Sequence, residues 1–257
     1  MILMPDSRAL LAVDVIASAS SPGYHRERQW RAMSAMLESA FGSSGIAPDM
    51  VVRYEPTGDG ALYTLPSDRL GTAVDLTSHL DRLAAEHNRW QKPDIRLRVS
   101  IDIGAVGEEP GYYTPKIHLA RMLGATEFKG LVDECIRSSV DRAGNSWVNS
   151  ALVMSGFAFR EVFGGDYTSQ VRQAEFAELA VSNKEFSDTV WVRVPGFDAR
   201  TLVQFATSMT RSSKQVRADG AARRSVDTVV NYVAGDMSDS VQAGIVEGDI
   251  NFGGGRR

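Results

Sequence analysis

The chain has 257 residues, 43% of them apolar, a formal net charge of −4 and a single cysteine. That length and apolar share support a real core, in one medium domain with an appendage or in two small domains. The acidic balance excludes bulk electrostatic capture of a nucleic-acid polymer or of anionic lipid, and the lone Cys135 excludes an internal disulfide, so a cytoplasmic location is expected.

The opening MILMPDSRALLAVDVIASA is interrupted by Asp6, Arg8 and Asp14, which argues for a buried strand and against a signal peptide. No run reaches the roughly 18 apolar residues of a membrane span. Arg8–Ile16 is predicted as a central strand, followed by a small-residue loop to Gly23. Tyr24–Phe41 is predicted as a helix with Trp30, Met33, Leu37 and Phe41 inward, stopped by Gly42 and Gly45. Met50–Glu55 and Ala61–Leu65 flank Pro56-Thr57-Gly58-Asp59-Gly60, and Gly-Asp-Gly between β-rich runs signals a hairpin. Ser67–Trp90 is predicted as a second long helix, with Ser67 as N-cap and Ala73, Leu76, Leu80 and Leu83 inward.

Ile95–Val106 alternates: Ile95, Leu97, Val99, Ile101 and Ile103 on one face, Arg96, Arg98, Ser100 and Asp102 on the other. This predicts a strand with a covered face and a polar face open to a ligand or partner. One helical region is expected from about Lys116 to Asp141, then a strand at Ala151–Ser155, a short helix to Phe163 and a last strand at Thr189–Val194. The order β-α-β-β-α-β-α-β predicts an α+β fold, a ferredoxin-like split βαβ sandwich. Three segments are expected: a globular domain over 1–197, a polar linker over 198–235, of which Thr201–Thr210 can be helical, and a flexible β-prone tail over 236–257.

Asp14 ends the first strand and Asp59 lies in the hairpin turn that sheet pairing can bring beside it. Two carboxylates on one edge repel unless a cation sits between them, and Mg²⁺ or Mn²⁺ supplies hard-oxygen chemistry for that place. The plainer alternative is a capping aspartate and an ordinary turn aspartate. His25, His79 and His87 show no ligand spacing with Cys135 or one another, so zinc is not expected.

LLAVDVIASAS, RYEPTGDGALY and LRVSIDIGAVG, in this order, resemble the class III nucleotidyl (adenylate/guanylate) cyclase homology domain over roughly Arg8–Gly196. The ending WVRVPG is similar to that of a divergent actinobacterial branch. The resemblance implies that Asp14 and Asp59 bind divalent metal, that Glu55 reads the base of a nucleoside triphosphate, and that the site forms at a homodimer interface. A carboxylate at Glu55 accepts from guanine N1–H and N2–H but donates nothing to adenine, which tilts the expectation to GTP. The family also uses an Asn and an Arg four residues apart on one helix face, for ribose and phosphoryl charge respectively. In TPKIHLARMLGA, ungapped, Arg121 takes the Arg place and Ile117 the Asn place; slipped by one, Met122 and His118 take them. Neither register keeps the pair, so the expectation divides between a cyclase with Arg121 as its catalytic residue and a degenerate nucleotide-binding or dimerisation module.

The tail segment VQAGIVEGDINFGG resembles the amyloid signalling motifs of bacterial immune-type effectors. Val241, Gln242, Ala243 and Gly244 match the Val-Gln-x-Gly core, and Gly248 to Phe252 match its Gly, acidic or small, and aromatic sequel. Gln242 and Asn251 can form amide ladders, while Asp236, Asp239, Glu247 and Asp249 oppose premature stacking. The resemblance implies a STAND/NLR-like receptor with a matching motif as partner, whose template clusters the effector. The alternatives are a strand docked on the domain's own sheet edge and a disordered tail.

Overall fold

The computed structural model describes residues 5–16, 22–107, 111, 113–142 and 144–210. The motif over 241–252, most of the expected linker and most of the small-residue loop after the first strand lie outside the described residues. The chain divides into a unit over Met1–Met209 and a second over Thr210–Arg257, and the sheet belongs to the first.

β1 (Ser7–Val15) runs through the middle of a seven-stranded sheet of order β2-β3-β1-β4-β5-β7-β6. Its apolar run is explained by position: alternate residues face the two apolar layers, while its edges pair antiparallel to β3 (Gly60–Pro66) and to β4 (Leu97–Ala105). β2 (Arg53–Pro56) forms the outer strand of the predicted hairpin with β3. β4 is parallel to β5 (Ser150–Ser155), a strand buried throughout, and β5 is antiparallel to β7 (Phe186–Arg193). β6 (Ala177–Asn183), not anticipated, pairs with β7 and ends the sheet.

Two apolar layers sandwich this sheet. One includes α1 (Gly23–Ser43), α2 (Leu70–Trp90) and α5 (Gly156–Gly164) packed on Leu11, Val13, Val99 and Ile101. Along α1 the buried positions are Gln29, Met33, Met36, Leu37, Ala40 and Phe41, one helical stripe. Trp30 is instead 40% exposed, because the helix phase gives its inward place to Gln29. Ser67 does not cap α2: it opens a 3₁₀ turn over Ser67–Arg69, and the helix proper starts at Leu70.

The second layer comprises α3 (Thr114–Gly124), α4 (Thr126–Ser138) and a helix over 199–210. The single helix expected from Lys116 to Asp141 is thus two, broken at Ala125, whose extended backbone (φ −62°, ψ 134°) ends α3 and caps α4. The helix over 199–210 lies within the stretch expected as linker. It buries Leu202 completely, a contribution of roughly 1.5–3 kcal/mol.

This layer corrects one expectation. The polar face of β4 is not open, because α3 packs across it: Ser100 is fully buried and Asp102 is 4% exposed. Asp102 is accommodated by accepting from the Ser155 hydroxyl at 2.5 Å and from the Ile103 amide at 2.8 Å.

Candidate nucleotide-site edge

The hairpin turn delivers Asp59 to the end of β1. Asp14 lies opposite Gly60 in the β1–β3 register, and the Val15 amide donates to the Asp59 carbonyl at 3.3 Å. Gly58 takes φ +83°, the left-handed region that suits glycine. Gly60 is required for a different reason: a Cβ there would sit 2.1 Å from the Val13 carbonyl oxygen. The two glycines of Gly-Asp-Gly therefore turn the chain and let it approach β1.

Asp14 also lies opposite Arg98 in the β1–β4 register. Arg98 Nε donates to Asp14 Oδ1 at 2.9 Å and a terminal guanidinium nitrogen donates to Oδ2 at 2.9 Å, a fork matched to both carboxylate oxygens. The side chains retain 12% and 17% of their exposure. Burial pushes the Asp14 carboxyl above the ordinary carboxylate range; Arg98 opposes this by charge and hydrogen bonding, the neighbouring Asp59 charge reinforces it, and Lys129 of α4 opposes it. The aspartates thus share an edge and feel each other's charge.

The donor set decides how a divalent ion fits here. Both oxygens of Asp14 are held by Arg98, and among the described residues no group of three or more His, Cys, Asp or Glu side chains is arranged to hold a metal ion. With the pair closed, both Asp14 oxygens already accept from Arg98, so the expected Mg²⁺ or Mn²⁺ at Asp14 and Asp59 would have to share or displace that pairing.

Glu55 on β2 is likewise engaged: its Oε2 accepts from Lys116 Nζ of α3 at 2.7 Å. The Lys116 side chain is 9% exposed and its ammonium lies 5.8 Å from the centre of the Tyr113 ring. The pair offers an acceptor and a donor together. It can meet guanine through O6 and N1–H or adenine through N1 and N6–H, so the argument from a lone carboxylate to GTP no longer separates the purines.

Arg121 turns toward the β6–β7 hairpin. Its guanidinium lies 3.5 Å from Glu185, and its carbonyl accepts from the Asn183 side chain at 3.0 Å. Of the two candidates for the Asn place, Ile117 is an apolar side chain 40% exposed and His118 packs its ring against Phe186, with centroids 5.2 Å apart. The structure therefore brings Asp14 and Asp59 together, joins Glu55 to Lys116 and sends Arg121 to the β6–β7 hairpin. Arg98 and Lys116 were not singled out in the sequence. For Arg98 the available signal was its place on the polar side of β4; for Lys116 it was a cation inside the helix compared with the family's Asn–Arg stretch.

No protein-family model and no curated protein matches this chain. Among solved structures it is similar to a bacterial light-regulated adenylyl cyclase, at 11% identity over 79% of this chain and 58% of that one, with a TM-score of 0.51. It is also similar to adenylate cyclases from Trypanosoma brucei, at 15% identity over 75% of this chain and 93% of that one, TM-score 0.49. A third similar structure is an adenylate/guanylate cyclase/hydrolase from Silicibacter pomeroyi, at 16% identity over 75% and 98%, TM-score 0.47. The likeness is one of fold: the globular unit has the nucleotidyl cyclase fold. Among the described residues no helix is long and apolar enough to cross a membrane.

Proposed function

We propose that this chain is a cytoplasmic signalling adaptor built on the cyclase fold, a catalytically degenerate module whose output is assembly and not efficient production of a cyclic nucleotide. One observation carries the reading: the groups that cyclisation requires are committed elsewhere or replaced. Asp14 is held by Arg98, Glu55 by Lys116, and the Asn place is taken by Ile117 or by a His118 packed on Phe186. A second copy is the natural partner of the globular unit by family resemblance. The segment around Val241–Phe252 recruits the chain to a STAND-type receptor carrying a similar motif, and clustering raises the effective concentration of the globular units.

The converging pair Asp14 and Asp59 favours a second reading, a slow cyclase acting on a nucleoside triphosphate with Mg²⁺ or Mn²⁺ and with Arg121 stabilising the transition state. One experiment separates the two. The full chain, soluble and tail-assembled, is incubated with ATP or GTP and Mn²⁺, and products are read by mass spectrometry. The adaptor reading expects no cyclic product from either state; a cyclic nucleotide lost in Asp59→Asn establishes the cyclase. For recruitment, a peptide over Ser238–Gly254 is expected to form thioflavin-positive cross-β fibres that Gln242→Pro abolishes. A peptide that stays monomeric even when seeded removes that half of the proposal.

A further inference from the structure

The ladder sets Arg98 directly across from Asp14, and the guanidinium fork spans both carboxylate oxygens at 2.9 Å with little water access. Asp59 and Lys129 add one charge of each sign within electrostatic range of Asp14. Arg98 is the cation in contact with Asp14, and Lys129 opposes the Asp14 charge more weakly. An acidic edge attracts a divalent ion when its negative charge is uncompensated and its oxygens have open coordination positions. At this edge the Arg98 fork supplies positive charge against Asp14 and fills one acceptor position on each of its oxygens.

We infer that Arg98 is the resident cation of the Asp14–Asp59 edge and competes with divalent metal for Asp14, through its charge and through the acceptor positions its fork fills. A metal ion at Asp14 meets the like charge of the guanidinium, whether it shares the carboxylate or displaces the pair. Arg98 thus sets the edge's metal affinity from outside the ligand set. The inference goes beyond the adaptor reading and does not depend on it.

The test uses Mn²⁺ alone, without nucleotide, titrated into the full-length chain and read by the paramagnetic resonance of free Mn²⁺. Arg98→Gln removes the competing charge while keeping a polar side chain. It is expected to bind Mn²⁺ more tightly than the unaltered chain by about tenfold or more, and adding Asp14→Asn is expected to abolish the gain. Arg98→Lys, whose single ammonium lacks the fork, is expected to show a smaller gain, and it serves if circular dichroism shows that Arg98→Gln does not fold. Equal affinity in the unaltered chain and in the folded Arg98 variants overturns the inference, as does a gain that survives Asp14→Asn. A chain that binds Mn²⁺ tightly with Arg98 in place yet yields no cyclic product would sink this inference and leave the adaptor reading standing.

Discussion

The Asp14–Arg98 pair makes a definite statement about stability, because its worth depends on which partner is removed. Asp14→Ala leaves a guanidinium at 12% side-chain exposure without its carboxylate. Removing one partner of a fully buried pair costs about 3–5 kcal/mol. Residual water access and the relief of repulsion from Asp59 lower this to roughly 2–4 kcal/mol. For a unit of this size that is a fall in Tm of roughly 5–15 °C. The double variant Asp14→Ala, Arg98→Met removes both charges and fills part of the space with an apolar side chain, and is expected to lie within roughly 2 kcal/mol of the unaltered chain. Urea denaturation at neutral pH, followed by circular dichroism, measures all four corners of the cycle. The expected coupling is roughly 1–3 kcal/mol, with the double variant more stable than Asp14→Ala alone. The reasoning fails if Asp14→Ala costs less than about 0.5 kcal/mol, or if the double variant loses the sum of the single losses.

Two further outcomes test other parts of the fold. The Asp75 carboxylate accepts from the backbone amides of Ser169, Gln170 and Val171 and from the Ser169 hydroxyl, pinning the loop before β6 to α2. Asp75→Ala is expected to cost roughly 3 kcal/mol or more and to accelerate hydrogen exchange at those amides, and Asp75→Asn to cost less; unchanged protection removes the assigned role. Burial, followed by the neighbouring Tyr54, pushes the Tyr63 phenol up to about 12 from 10.0. A pKa raised on folding gives stability that is complete below pH 10 and lost as pH rises toward 12, so alkaline destabilisation in that window should be reduced in Tyr63→Phe. A Tyr63→Phe chain with the same alkaline profile refutes the assignment.

The strands whose neighbours leave a strong periodic mark were legible in the sequence. β1 is a continuous apolar run because both its faces are covered, and β4 alternates because one of its faces carries Arg98, Ser100 and Asp102. The same alternation misled about solvent, since polar residues buried beneath a helix look identical in sequence to polar residues facing water. β6 escaped because QAEFAELAVSNKEF suits either period, and its strand identity comes from pairing with β7. The break at Ala125 escaped because Leu-Gly-Ala-Thr contains no proline and only one glycine, a weak signal inside a helical pattern. At the candidate site, Gly-Asp-Gly between strands was enough to place Asp59 beside Asp14. The partners that change the chemistry were out of reach of local patterns: Arg98 lies 84 residues from Asp14, and Lys116 lies 61 from Glu55. Each pairing depends on a register or a helix position set by the whole sandwich.

The central position of β1 has a consequence for how the chain is made. Its hydrogen-bonding partners are β3 and β4, which end at Pro66 and Ala105, while the hairpin strand β2 has no place beside it. During synthesis the stretch Ala9–Val13 therefore emerges long before both its edges can be matched, and it stays unshielded until Ala105 has cleared the ribosome. Slowing translation anywhere between Pro66 and Leu97 prolongs the interval in which this apolar ribbon can find the wrong neighbour, so yield from a living cell should respond to codon choice and chaperone supply in that window more than over the codons for 177–194.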